Sequence, residues 1–126
     1  MTREQVQAWL DGYVEAWRAN RREPIEALFT EGVVYRWRPY ASYPAADGID
    51  AVVEAWLGET RDDPDAWEAR YTPYAVDGDR AVATGYSRYF ATADEPERTY
   101  WNAFLLRFAP DGRCAEFTEF YMEEGK

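Results

Sequence analysis

Glu119 and Asn102 are the residues whose type and setting offer chemistry, because each lies in a stretch that alternates with a two-residue period: Glu119 between Phe117 and Tyr121, Asn102 between Tyr100 and Phe104. On a strand, residues two apart share a face, so both polar groups keep aromatic company. A carboxyl turned into such surroundings loses hydration. That favours its protonated form and lifts its pKa toward neutrality, where a general acid or base works well. An amide both donates and accepts, which suits Asn102 to orient a carbonyl or hydroxyl. The hydroxyls of Tyr13, Tyr86, Tyr100 and Tyr121 add donors for a ligand oxygen that gathers negative charge. Structural roles stand beside each of these: Glu119 paired with Arg88 or Arg36 between strands, Asn102 bonded across the sheet, and tyrosines bonded to ordinary neighbours.

The elements that carry these residues are legible from spacing. Thr2 with Gln5 forms a capping-box pattern, and Val6, Trp9, Leu10, Tyr13, Val14 and Trp17 then recur at helical spacing. Pro24 suits the first turn of a second, short helix that turns Ile25, Leu28 and Phe29 inward and ends at Gly32. Residues 33–38 alternate Val33, Tyr35 and Trp37 against Val34, Arg36 and Arg38, a half-buried strand stopped by Pro39. Residues 39–47 read as a loop. Ile49, Val52, Val53, Trp56 and Leu57 mark a third helix ended by Gly58, and a polar connection follows over 59–65. From there the period is two, with strands over 67–76, 80–90, 98–108 and 113–122 and Asp-Gly turns at residues 77–78 and 111–112. Residues 123–126 read as a frayed tail. Helix, helix, strand, helix and a four-stranded meander make one α+β domain over residues 1–126, with the helices on one face of the sheet.

Composition narrows the partners. Aromatic residues are 17% of the chain, so large rings must fill a core, line a cavity or cover an interface. With 14 Lys and Arg against 24 Asp and Glu, the net charge of −10 repels phosphate backbones and anionic lipid, so neither nucleic acid nor a membrane surface is expected. Arg18, Arg21 and Arg22 read as cations near the end of the first helix. The chain has no histidine and one cysteine, Cys114, which excludes an internal disulfide, histidine acid–base chemistry and the usual zinc and iron ligand sets. No metal or organic cofactor is expected. Cys114 reads as a small buried hydrophobe, and the start of the chain has no apolar stretch for a signal peptide or membrane span, so a cytoplasmic protein is expected.

Tyr13 in the first helix, Ala27-Leu28-Phe29 running into Val33-Val34-Tyr35, the Asp47-Gly48-Ile49 entry to the third helix, and residues 108–113 leading to Glu119-Phe120-Tyr121 together resemble the nuclear transport factor 2-like superfamily, most of all its SnoaL-like, or polyketide-cyclase-like, branch. The resemblance covers nearly the whole chain. It implies a cystatin-like cone: three N-terminal helices packed on a curved, mainly antiparallel sheet round a deep pocket. It also implies a homodimer through the outer sheet face. The superfamily includes ketosteroid isomerases, dehydratases, epoxide hydrolases, polyketide cyclases and non-catalytic transport or accessory subunits. By resemblance, Trp37 stands where the steroid isomerases carry their proton-shuttling aspartate, and Phe104 replaces their second acid, although Tyr13 matches their helix tyrosine. Steroid isomerisation by that mechanism is therefore not expected. The dehydratase and dehydrochlorinase members pair a histidine with an aspartate, which this chain cannot copy. The epoxide hydrolases use an acid on the last strand, which Glu119 matches, and an arginine, for which Arg88 is the candidate; the second acid they need has no counterpart on the Arg88 strand.

Pocket parity taken from the resemblance turns Val82, Thr84, Tyr86 and Arg88 inward, followed by Tyr100, Asn102, Phe104 and Leu106, then Phe117, Glu119 and Tyr121. A slip of one residue reverses such a set completely. The opposite face of the 80–90 strand, Ala81, Ala83, Gly85 and Ser87, is then small enough for a second sheet to pack upon it as a dimer contact. Trp9, Tyr13, Trp37 and Trp56 become core and pocket wall, while Arg36 and Arg38 face away from the pocket. The expected protein binds a small apolar or cyclic organic molecule and, as an isomerase, cyclase, lyase or hydrolase, uses Glu119 as acid or base with Asn102 beside it. Tyr13, Trp37, Trp56, Tyr86, Arg88, Tyr100, Phe104, Phe117 and Tyr121 are its expected ligand contacts. The alternative is a non-catalytic binding or accessory domain acting through its sheet-face dimer or a partner protein, with Glu119 salt-bridged and the aromatic side chains filling the cone.

Overall fold

The computed structural model describes residues 1–59 and 63–126. Among these residues are helices α1 (Arg3–Ala19), α2 (Arg22–Leu28) and α3 (Ile49–Gly58), and strands β1 (Phe29–Arg36), β2 (Ala46–Asp47), β3 (Trp67–Asp77), β4 (Arg80–Tyr89), β5 (Arg98–Phe108) and β6 (Cys114–Glu123). The strands form one sheet in the order β2-β1-β6-β5-β4-β3. Every neighbouring pair is antiparallel except β1 with β6.

Helix α1 starts where the capping box places it: the Thr2 side chain accepts from the Gln5 N–H, and the Gln5 side chain accepts from the Thr2 N–H. Asn20, left-handed at φ 52°, closes the other end through its N–H to the Ala16 carbonyl. The buried stripe Val6, Trp9, Leu10 and Tyr13 belongs to the same core as Phe104 and Phe117 of the sheet. The Trp9 indole N–H donates to the Leu28 carbonyl at 2.9 Å, tying α1 to the end of α2.

Local pattern and tertiary packing disagree at the end of α2. The expected stop at Gly32 is replaced by one at Leu28, and Phe29 already lies in β1 opposite Cys114. Its ring is fully buried among Trp9, Tyr35, Trp56 and Phe117, so long-range burial overrides helical spacing. The β1–β6 register then shifts between Phe29 and Val34, where Glu31 and Gly32 are exposed. Strand β1 ends at Arg36, and within the expected loop 39–47 the pair Ala46–Asp47 adds β2 to its edge. The expected polar connection 59–65 lies partly outside the described residues. The tail is tied down at its start: the Glu124 N–H donates to the Thr99 carbonyl at 2.8 Å, and the Trp101 indole donates to the Glu124 carboxylate at 3.0 Å.

The parity expected for β4 is reversed. Gly85 lies opposite Tyr71 on β3 and Asn102 on β5, and Ala83 opposite Phe104, so Ala81, Ala83, Gly85 and Ser87 face the helices. Val82, Thr84, Tyr86 and Arg88 face outward. The physical reason is space: the Tyr71 and Phe104 rings, on the two strands flanking β4, meet with centroids 4.6 Å apart. They can do so only where β4 carries almost no side chain. A Cβ on Gly85 would sit 2.0 Å from the Arg70 carbonyl oxygen and 2.6 Å from Cδ1 of Tyr71. The small face proposed as a dimer contact is therefore the floor of the cone. Ala81 and Ala83 are buried in the core.

Above that floor, Phe117 stacks on Tyr35 at 4.3 Å and on Tyr13 at 5.4 Å, a three-ring pile joining α1, β1 and β6. Among the described residues, no helix is long and apolar enough to cross a membrane.

Candidate functional site

The inner face of the sheet and α1 leave a cavity of about 190 Å³. Helix α1 contributes Tyr13, Val14 and Trp17; Tyr35 and Trp37 come from β1 and the residue following it; β3, β4 and β5 add Tyr71, Ser87 and Asn102; Glu119 comes from β6. Asn102 lies opposite Tyr121, and Glu119 opposite Phe104, so the amide and the carboxyl are diagonal neighbours on one face. Nδ2 of Asn102 donates to Oε2 of Glu119 at 2.7 Å.

Burial dominates the electrostatics of Glu119, raising its carboxyl from 4.5 to about 7. The Asn102 hydrogen bond pulls the other way, and the negative charge of Glu59 adds a little to the rise. Among the described residues no arginine or lysine pairs with this carboxyl. Arg88, one partner considered for it, turns outward to Glu68 at 3.1 Å and to Thr99 at 3.3 Å. The carboxyl of Glu119 is thus held by an amide, which leaves it neutral or charged with comparable ease near pH 7.

Two tyrosine hydroxyls supply the matching donor. Oη of Tyr13 and Oη of Tyr35 are 3.1 Å apart. In such a pair one hydroxyl donates to the other, and the acceptor keeps its own proton for a ligand. Burial pushes both hydroxyls well above the ordinary tyrosine range, with the Glu119 charge adding to the rise, so both stay protonated at neutral pH. Burial also raises Tyr71, with the Ser87 side chain pulling the other way. Among the described residues no group of three or more Asp, Glu, His or Cys side chains is gathered for a metal ion.

Four expected site residues, Tyr13, Trp37, Asn102 and Glu119, line the cavity. Trp56, Phe104 and Phe117 are instead core side chains, buried beneath it. Tyr86 and Arg88 lie on the outer face with the reversed β4 parity. Tyr100 sits edge-on to Tyr89 at 6.0 Å and to Tyr121 at 6.1 Å. Cys114 is buried, and burial lifts its thiol to about 12. Trp17, Tyr35, Glu59, Tyr71, Ser87 and Tyr89 are among the cavity residues that sequence reasoning missed. Tyr35 had a signal, since it shares a face with Trp37; Ser87 was visible only with the correct parity of β4.

A second, wider depression of about 860 Å³ lies on the outer sheet face, floored by Thr72, Thr84, Tyr86, Trp101 and Phe120 and bordered by Arg38, Tyr40 and Tyr121. Trp37, Asn102 and Glu119 line both spaces. Strand β1 stops pairing with β6 at Arg36 opposite Thr118, so Glu119 lies just past the last β1–β6 pair.

A family model described as a SnoaL-like domain matches residues 10–117. No curated protein matches the chain. Among solved structures, the chain is similar to an LEH-like epoxide hydrolase of M. tuberculosis, with TM-score 0.66 and 9% identity over 94% of this chain and 84% of that one. It is similar to the S. rosetta CaMKII hub, with TM-score 0.70 and 15% identity over 97% and 98% of the two chains. An NTF2-like protein of unknown function from Cytophaga hutchinsonii gives TM-score 0.64 and 14% identity over 92% and 98%. At these identities the likeness is one of fold.

Proposed function

This chain belongs to the SnoaL-like domain family, and on that premise we propose that it is a proton-transfer enzyme for a small, largely apolar cyclic molecule, with Glu119 as the acid–base group. The observation that carries this reading is the Glu119 carboxyl, which lines an aromatic-walled cavity with Glu59 and which burial lifts to about 7. A base of that strength is poised for neutral pH. The ionised carboxyl removes a proton from carbon next to a carbonyl. The electron pair moves onto the carbonyl oxygen, and the free hydroxyl of the Tyr13–Tyr35 pair donates to that oxygen. Returning the proton to the same or another carbon regenerates the carboxylate. Asn102 is a positioning residue here: its Nδ2 bond to Oε2 orients the carboxyl and leaves Oε1 for the substrate.

Glu59 is a second acid lining the cavity, but Arg88, the arginine expected between two acids, points to Glu68 on the outer face. That favours proton exchange at carbon over epoxide opening. The cavity of about 190 Å³ equals the liquid volume of roughly six waters, which suits a ring of six or seven heavy atoms. Cyclohexanone in D₂O is therefore the test substrate. Exchange of its α-protons, followed by NMR, is expected to rise with pH with a midpoint near 7 and to fall to the buffer rate in Glu119→Gln. Exchange equal to that of the wild type in the variant removes Glu119 from the mechanism.

A second reading, self-assembly without catalysis, is supported by the outer sheet face, where Trp101, Leu105, Phe120 and Met122 are exposed. The homodimer belongs with this face and is compatible with either reading.

A further inference from the structure

The cavity beside Glu119 is too small for most ligands, since pockets for organic molecules usually run to roughly 300–1,000 Å³. A larger guest can continue past Trp37, Asn102 and Glu119, the side chains that line both the cavity and the outer depression. Among the described residues, what waits there is a cation without a counter-charge. Arg38 is half-buried on the rim, and among the described residues no carboxylate pairs with it. Its Nη1 reaches the Tyr40 hydroxyl at 3.4 Å, and its guanidinium lies 5.0 Å from the Tyr43 ring centroid and 5.5 Å from that of Tyr121. A second arginine, Arg70, lines the far side of the same depression, also without an acidic partner among the described residues. Among the described residues Glu119 is the one acid lining that space, in a chain where acids outnumber bases by 24 to 14. A guanidinium flanked by aromatic planes with most of its donors free is matched to a planar carboxylate.

We propose that the ligand of this site is a cyclic carboxylate, with its ring in the cavity at Glu119 and Asn102 and its carboxylate on Arg38 at the groove rim. This rests on reading the cavity as a ligand site, and adds the charge of the ligand. It runs against the net charge of −10, which by itself disfavours an anion.

Two probes of equal shape separate the terms: 3-phenylpropionate and 3-phenylpropan-1-ol, titrated by NMR at low ionic strength near neutral pH. The acid is expected to bind about fivefold more tightly than the alcohol, the scale of one partly exposed ion pair. Arg38→Gln is expected to abolish that preference while leaving the alcohol unchanged, and Arg38→Lys to keep part of it. Arg21→Gln, which removes an exposed cation at the start of α2, is expected to change neither. An acid that binds no tighter than the alcohol, or a preference that survives Arg38→Gln, overturns the carboxylate seat and leaves the cavity reading standing. If neither probe binds, both fall together.

Discussion

Glu119 ties the proposed chemistry to stability, because its carboxyl moves from 4.5 to about 7 on folding. Between those values the folded protein holds a proton that the unfolded chain has released, so raising pH through this window removes stability. At 1.36 kcal/mol for each pKa unit, the loss reaches about 3 kcal/mol and levels off above the folded value. Glu119→Gln has no such charge to bury. It is expected to gain about 2–3 kcal/mol on the wild type between pH 5 and pH 8 in urea unfolding; a difference independent of pH contradicts the assignment. The residue types and their apolar neighbours were readable from the sequence, but the partner of Glu119 was not. Arg88 and Arg36 were the partners considered, whereas Asn102 is the one in contact. Which side chain meets which across strands depends on register, and two-residue alternation leaves register open.

At the scale of elements, β4 decides whether the cone has room inside. Alternation alone cannot say which face of Ala81-Val82-Ala83-Thr84-Gly85-Tyr86-Ser87-Arg88 turns inward, and the larger set was the wrong choice because Tyr71 and Phe104 already fill the space above the strand. Strands β5 and β6 were legible because Phe104, Leu106 and Phe117 contrast sharply with the residues between them. The end of α2 was not, because the burial of Phe29 is a tertiary effect. Gly85 carries the sharpest consequence: a methyl group there meets the Arg70 carbonyl at 2.0 Å, and neither backbone can retreat without breaking the β3–β4 ladder. Gly85→Ala is expected to cost about 3 kcal/mol, read as a lower urea midpoint, and to disturb Tyr71 and the cavity wall. An unchanged midpoint would contradict the described close approach.

For the molecule as a whole, the helices cover one face of the sheet and leave the other with Trp101, Leu105, Phe120 and Met122 uncovered. A second copy seated there is the expected occupant. Sedimentation should therefore give twice the 14.7 kDa chain mass, reduced to the single mass by Trp101→Glu with Phe120→Glu. A wild type of single-chain mass at high concentration would leave that face to other partners. The general outline, helices on a curved sheet, was legible because turn residues and periodicity agree along most of the chain. The site itself depends on one carboxyl inside an aromatic cavity. Carbon-13 NMR titration of the glutamate side chains, with the Glu119 signal assigned by its loss in Glu119→Gln, tests that directly. A midpoint near 7 is expected; a midpoint in the ordinary glutamate range, about 4 to 5, contradicts a buried Glu119 carboxyl.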